Sequence, residues 1–167
     1  MGYRSDVTMV IKSIDDRYKI DNIIHSILLA KPEYNEAFKE LVNSEYLIYD
    51  SYFFKYAETS VKFYDSIIDT QLIMEIWNYL KDKENVKGSL VRIGEDDTDI
   101  ESDHFDNTVR SYEEEVLNSD ILSEKYRYSS DSSYSYFCNV ERNIVVESFV
   151  DEEADKVLEK MRRMEFS

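Results

Sequence analysis

What most constrains this chain is the order in which two apolar periodicities follow one another. From Tyr3 to Ile14 apolar residues alternate, with Val7, Met9 and Ile11 on one face and Thr8 and Val10 on the other, which is the period of a strand. Ser13 or Asp15 then stands where a helix N-cap is wanted. Ile20, Ile23, Ile24, Ile27 and Leu28 recur at helical spacing, and Pro32 suits the first turn of a continuation through Tyr34, Phe38, Leu41 and Val42. Two runs rich in Tyr, Phe, Ile and Val, 46–56 and 59–65, predict a hairpin turning at Ala57 and Glu58. Ile68, Leu72, Ile73, Ile76, Trp77 and Leu80 mark a further amphipathic helix, and Gly88–Ile93 a strand stopped at Gly94. The order β-α-β-β-α-β predicts an α+β fold, a ferredoxin-like split βαβ antiparallel sheet with two helices on one face.

The pattern changes after Gly94. Residues 95–111 are polar and read as a loop, and 112–124 as a short helix facing inwards through Val116 and Ile121. Residues 128–136 form a Ser/Tyr-rich stretch. Phe137–Val150 reads as a bent strand or a tight hairpin turning near Glu141, Arg142 and Asn143. Asp151 is placed to cap a last helix whose apolar face is Ala154, Val157, Leu158 and Met161, with Lys160, Arg162 and Arg163 near its C-terminal dipole. Residues 1–167 fit one domain: a core over 1–94, an acidic and Ser/Tyr-rich insertion over 95–136, and a C-terminal strand and helix over 137–167.

The chain carries a net charge of −16, yet at 43% hydrophobic and 14% aromatic it is too apolar for a disordered one. A lone Cys138 permits no intrachain disulfide, and its aromatic neighbours make it a structural thiol on a strand. The most apolar stretch, 20–30, is broken by Asp21, Asn22, His25 and Ser26, so no membrane span is expected, and no secretory h-region opens the chain. A cytoplasmic setting follows as the expectation.

Charge is concentrated in one segment. Residues 95–124 hold 12 acids and one base, Arg110, which gives −11 of the −16. Three readings compete for Glu95, Asp96, Asp97, Asp99, Glu101, Asp103 and Asp106: a solvated acidic loop, an interaction surface for a basic partner, and a divalent-cation site. Tyr112, Glu113, Glu114 and Glu115 extend the second reading, since spaced carboxylates can occupy a site meant for nucleic-acid phosphates while tyrosines such as Tyr112, Tyr126 and Tyr128 anchor. The third reading fails the EF-hand spacing. A loop begun at Asp97 puts Ser102 where the turn needs Gly and Thr108 where a bidentate Glu belongs.

Recognisable catalytic sets are missing from the sequence. Three scattered glycines build no phosphate-cradling loop, and one Cys with two His builds no zinc site. His25 sits on the apolar helix, and His104 lies beside carboxylates expected to raise its pKa. No basic stripe offsets the acidity, so direct nucleic-acid binding is disfavoured. No catalytic residue, metal or cofactor is assigned.

The segments Met1-Gly2-Tyr3-Arg4-Ser5-Asp6-Val7 and Val91-Arg92-Ile93-Gly94-Glu95-Asp96-Asp97-Thr98-Asp99-Ile100-Glu101 resemble those of a family of small bacteriophage proteins with an MGYRSDV-type start and a VRIGED-x-x-DIE stretch. The resemblance covers about the first 100 residues and brings no catalytic role. It implies a phage or prophage origin and an accessory role in an infected bacterial host. Arg4 with Asp6, and Arg92 with a nearby acid, read as salt bridges fixing strand ends. The resulting expectation is a phage-encoded acidic protein that inhibits a host factor with a basic surface, such as a nucleic-acid-directed defence complex. The rival is a small-molecule or divalent-cation binder, a nucleotide-signal sequesterer or metal-assisted hydrolase, with Arg92, Arg110, Arg127 and Arg142 as candidate phosphate ligands. A dimerising structural or virion component is a third class.

Overall fold

β1 (Ser5–Ser13) is the central strand of the molecule, and its alternation decides the layering. In the computed structural model, which describes residues 3–96, 98–108, 138–140 and 144–165, Val7, Met9 and Ile11 enter one apolar cluster and Val10 enters another. Both faces of the strand are therefore covered, which is why it carries so few exposed polar side chains.

Around it runs a five-stranded antiparallel sheet in the order β2-β3-β1-β4-β5, with β2 Leu47–Tyr49, β3 Phe53–Val61, β4 Val86–Gly94 and β5 Ile100–Asp106. Helices α1 (Ile20–Ala30), α2 (Asn35–Asn43) and α3 (Ile68–Leu80) pack on the face of Val7, Met9 and Ile11. Ile20, Ile23 and Ile24 of α1, Ala37 and Leu41 of α2, and Leu72, Ile73, Ile76, Trp77 and Leu80 of α3 are the buried positions, in keeping with the helical spacing. Each fully buried large side chain among them contributes about 1.5–3 kcal/mol by leaving water.

The opposite face is closed by a hairpin, β6 (Cys138–Val140) and β7 (Ile144–Val146), and by a fourth helix, α4 (Ser148–Glu165). Val150, Ala154 and Val157 of α4 pack on Val10 and Phe53. Lysines on this face meet acids of the helix, Lys12 Nζ to Glu153 Oε2 at 2.6 Å and Lys55 Nζ to Asp151 Oδ1 at 3.0 Å. The C-terminal segment thus forms the third layer of the fold. Among the described residues, no helix is long and apolar enough to cross a membrane.

Several sequence expectations need correction. The hairpin turns at 50–52, where Asp50 Oδ1 accepts both the Tyr52 and Phe53 amides at 2.8 Å, so Ala57 and Glu58 lie within β3. Apolar composition could not locate this turn, because Tyr52 within it and Phe53 just after it both look like strand residues. Asp15 caps a short 3-10 turn, Asp16–Tyr18, and not α1 itself. Asp151 lies within α4, which begins three residues earlier. The stretch 95–111, read as loop, contains β5, paired with β4 from Lys87↔Asp106 to Ile93↔Ile100. The expected helix over 112–124, the Ser/Tyr-rich stretch and the turn at 141–143 lie outside the described residues.

Candidate functional site

The acids after Gly94 are distributed by the pleat of β5. Phe105 meets Trp77 edge-on, with ring centroids 5.0 Å apart, and Asp103 Oδ2 accepts the Trp77 indole N–H at 3.2 Å, so this set, with Glu101, faces α3. Ser102, His104 and Asp106 take the other face. There His104 Nδ1 lies 2.9 Å from Ser89 Oγ, and Asp106 stands 3.9 Å from the buried Lys87 ammonium. The register Lys87↔Asp106 and Ser89↔His104 brings these pairs together. Lys87 has its pKa lowered by burial, partly offset by the Asp106 charge.

Arg92 is the centre of the near end. Only 11% of its side chain is exposed. Nη2 donates to Asp99 Oδ1 at 2.7 Å and to Glu101 Oε1 at 2.9 Å, and Nη1 donates to Asp99 Oδ2 at 3.1 Å and Ser5 Oγ at 3.0 Å. The Tyr3 hydroxyl adds a bond to Asp99 Oδ2 at 2.7 Å and accepts the Asp96 amide at 3.1 Å. The Arg92 guanidinium, and then the Tyr3 hydroxyl, hold the Asp99 carboxyl below its usual pKa. A Cβ on Gly94 would meet the Tyr3 hydroxyl and the Asp99 carboxylate, so a larger residue there would displace this pair. Glu95 Oε1 accepts the Arg4 amide at 2.8 Å, and Asp96 Oδ1 accepts the Thr98 amide at 3.0 Å and the Thr98 hydroxyl at 2.8 Å.

Of the proposed partner-binding residues, Glu95, Asp96 and Asp99 are therefore tied into the β4–β5 connection. Glu101 and Asp103 share the α3-facing side of β5 as exposed side chains, while Asp106 lies on the other face. Asp97, Tyr112, Glu113, Glu114 and Glu115 lie outside the described residues, as do Tyr126, Tyr128, Arg110, Arg127 and Arg142. The expected Arg92–acid salt bridge is present, doubled. The expected Arg4–Asp6 bridge is replaced by a shared grip on Ser60: Arg4 Nη1 donates to its carbonyl at 2.8 Å and Asp6 accepts its amide at 2.9 Å. Ser60 has φ 54°, and the β1–β3 register shifts beside it, so the bulge takes the bonds a direct ion pair would have used.

His104 departs from expectation. Its pKa is lowered, because burial against β4 outweighs the neighbouring Asp103 charge. Cys138 is buried, and desolvation pushes its thiol up to about 12, opposite to what a nucleophile needs. Among the described residues, no three His, Cys, Asp or Glu side chains converge in a group able to hold a metal ion. Sequence reasoning missed Tyr3 and Trp77 as partners of the acids and Ser5 as a partner of Arg92. Their contacts span 26 to 96 residues, and those of Tyr3 and Ser5 join the two motif segments.

No family model, no curated protein and no solved structure matches the chain.

Proposed function

We propose that this chain is an acidic binding protein that engages a basic protein partner through β5 and the turn leading into it. The observation that carries the reading is the position of the acids. β5 is the last strand of the sheet, it has β4 as its one neighbour among the described residues, and it presents exposed Glu101 and Asp103 side by side in strand period. Although Arg92 holds one Glu101 oxygen, the Glu101 side chain remains 69% exposed. Charged residues on an edge strand discourage indiscriminate pairing, and they admit a partner whose charge is complementary.

The resemblance to small phage proteins supports placing that partner in an infected bacterium, as a host factor whose basic surface serves nucleic acid and is blocked by these carboxylates. The sheet order β2-β3-β1-β4, antiparallel throughout, with α1 and α2 between β1 and β2 and α3 between β3 and β4 on one face, supports a ferredoxin-like split βαβ core beneath it. On this reading β5 extends that core at the β4 edge and carries the acids outward.

The test is affinity capture from bacterial lysate with wild type and with a Glu101→Gln/Asp103→Asn double variant. Asn keeps an oxygen for the Trp77 N–H, so the fold is preserved while two charges are lost. Wild type is expected to retain a basic protein that is released between about 0.05 and 0.5 M salt. Retention that is unaffected by the double substitution and by salt would overturn the proposal.

A further inference from the structure

Beside the acidic strand, between α3 and the near ends of β1 and β4, lies a cleft of about 370 Å³. Its walls combine three kinds of group. Tyr3, Phe63 and Tyr64 supply aromatic rings, and Tyr3 and Tyr64 are 41% and 37% exposed. Asp65, Asp99 and Glu101 supply three carboxylates against the single guanidinium of Arg92. Met74, Leu90 and Thr70 line the rest. Thr70 is 3% exposed and closes the floor of the cleft.

An anion is excluded by this balance, since Arg92 already gives bonds to Asp99, Glu101 and Ser5, and two carboxylate charges remain in excess. A neutral apolar group would leave those charges unanswered. A cation with several N–H donors satisfies both the charged and the aromatic walls: its charge meets the carboxylates and its face meets the rings. We propose that this cleft receives the guanidinium or ammonium head of a basic side chain, presented by the protein partner that engages β5. The inference rests on the acidic-surface reading and adds to it an anchor pocket with defined chemistry. Tyr64 and Asp65 come from the segment between β3 and α3, so the pocket joins residues that the charge pattern of 95–106 does not contain.

Met74 is the reporter, because it lines the cleft while Met9 is buried in the core and Met161 packs on the other face of the sheet. Protein labelled with 13C at the methionine methyls is titrated with N-acetyl-arginine amide at constant ionic strength, and in parallel with the neutral citrulline amide. The arginine amide is expected to shift the Met74 signal saturably and leave Met9 and Met161 in place, whereas citrulline amide shifts none. Asp65→Asn, which removes one charge from the wall, and Tyr64→Leu, which removes one ring, are each expected to weaken the arginine amide by about fivefold. Unmoved Met9 and Met161 signals verify that the variants are folded. A Met74 signal that stays still with arginine amide, or moves equally with citrulline amide, overturns the pocket. A second titration with an arginine-bearing basic peptide separates the two proposals. Amide shifts along β5 without a Met74 shift would leave the acidic-surface reading standing and the pocket refuted, and no shift at either place would refute both.

Discussion

Arg92 and Asp99 meet in a two-point contact, Nη2 to Oδ1 at 2.7 Å and Nη1 to Oδ2 at 3.1 Å, seven residues apart across the β4–β5 connection. The guanidinium plane matches the carboxylate plane, and a lysine ammonium at this position could reach only one oxygen well. One residue therefore fixes where β5 starts and neutralises part of the acidic cluster.

Replacing Arg92 with Met is accordingly expected to cost about 1–3 kcal/mol, more than the loss of an exposed pair, which is typically under about 1 kcal/mol. Arg92→Lys should recover little of it. Urea unfolding of the two variants and wild type gives the values. No measurable loss in Arg92→Met would mean that β5 is held by its backbone ladder alone and that Asp99 is free to serve a partner.

Gly88 is a second test of how β5 is seated. A Cβ there would lie 2.5 Å from Phe105 Cε1 and 2.9 Å from Trp77 Cζ3, so the edge-on pair of rings leaves no room for a methyl group. Gly88→Ala is expected to destabilise the fold by about 1–3 kcal/mol and to alter the near-ultraviolet circular dichroism of Trp77, the single tryptophan. Adding Phe105→Val should return part of the loss, because the new methyl then has space. Purely additive losses would show that the glycine is needed for another reason.

The sequence made the helix-facing core legible and the acidic segment illegible for the same physical reason. Periodicity reports which side chains share a face, and Val7, Met9, Ile11, Ile23, Leu72 and Ile76 are core residues that periodicity finds. Pairing across the sheet leaves no such trace. Ile100 to Asp106 alternates acids with polar and apolar residues, so hydropathy suggests a loop, yet β4 supplies a ladder and Trp77 supplies a donor for Asp103. His104 misled for a related reason. Its sequence neighbours are acids, but its spatial neighbour is Ser89 on the buried strand, and burial sets the sign of its shift. Tyr64 and Asp65 offered no signal at all as cleft residues, since the acids beside them come from 35 residues further along the chain.

Cys138 yields a prediction about reactivity. The thiol is buried on β6 and pushed up to about 12, so at pH 8 almost none of it is thiolate. Folded protein is expected to leave a chromogenic disulfide reagent unreacted over an hour and to release one equivalent once guanidinium unfolds it. Stoichiometric reaction with the folded protein would show that the hairpin opens from the sheet on that timescale.

Asp15 gives the chain a defined acid response. Its carboxylate accepts the Arg17 amide at 2.9 Å, the Arg17 guanidinium at 2.6 Å and the Asn85 side-chain amide at 3.1 Å, which ties the end of β1 to the residue that precedes β4. Bonding to Arg17, and then to its backbone and to Asn85, outweighs partial burial and lowers the carboxyl from 3.8 to about 2. A folded-state pKa below the unfolded one means that the carboxylate stabilises the fold above about pH 4 and that this contribution disappears as pH falls towards 2. With the Arg17 end of the pair in solvent, the contribution is about 1–2 kcal/mol. Asp15→Asn should thus be less stable than wild type by that amount at pH 6, and the two should converge near pH 2, as read from urea unfolding at intervals between. A gap that stays constant across this range would assign the effect of Asp15 to packing at the strand end, where protonation changes nothing.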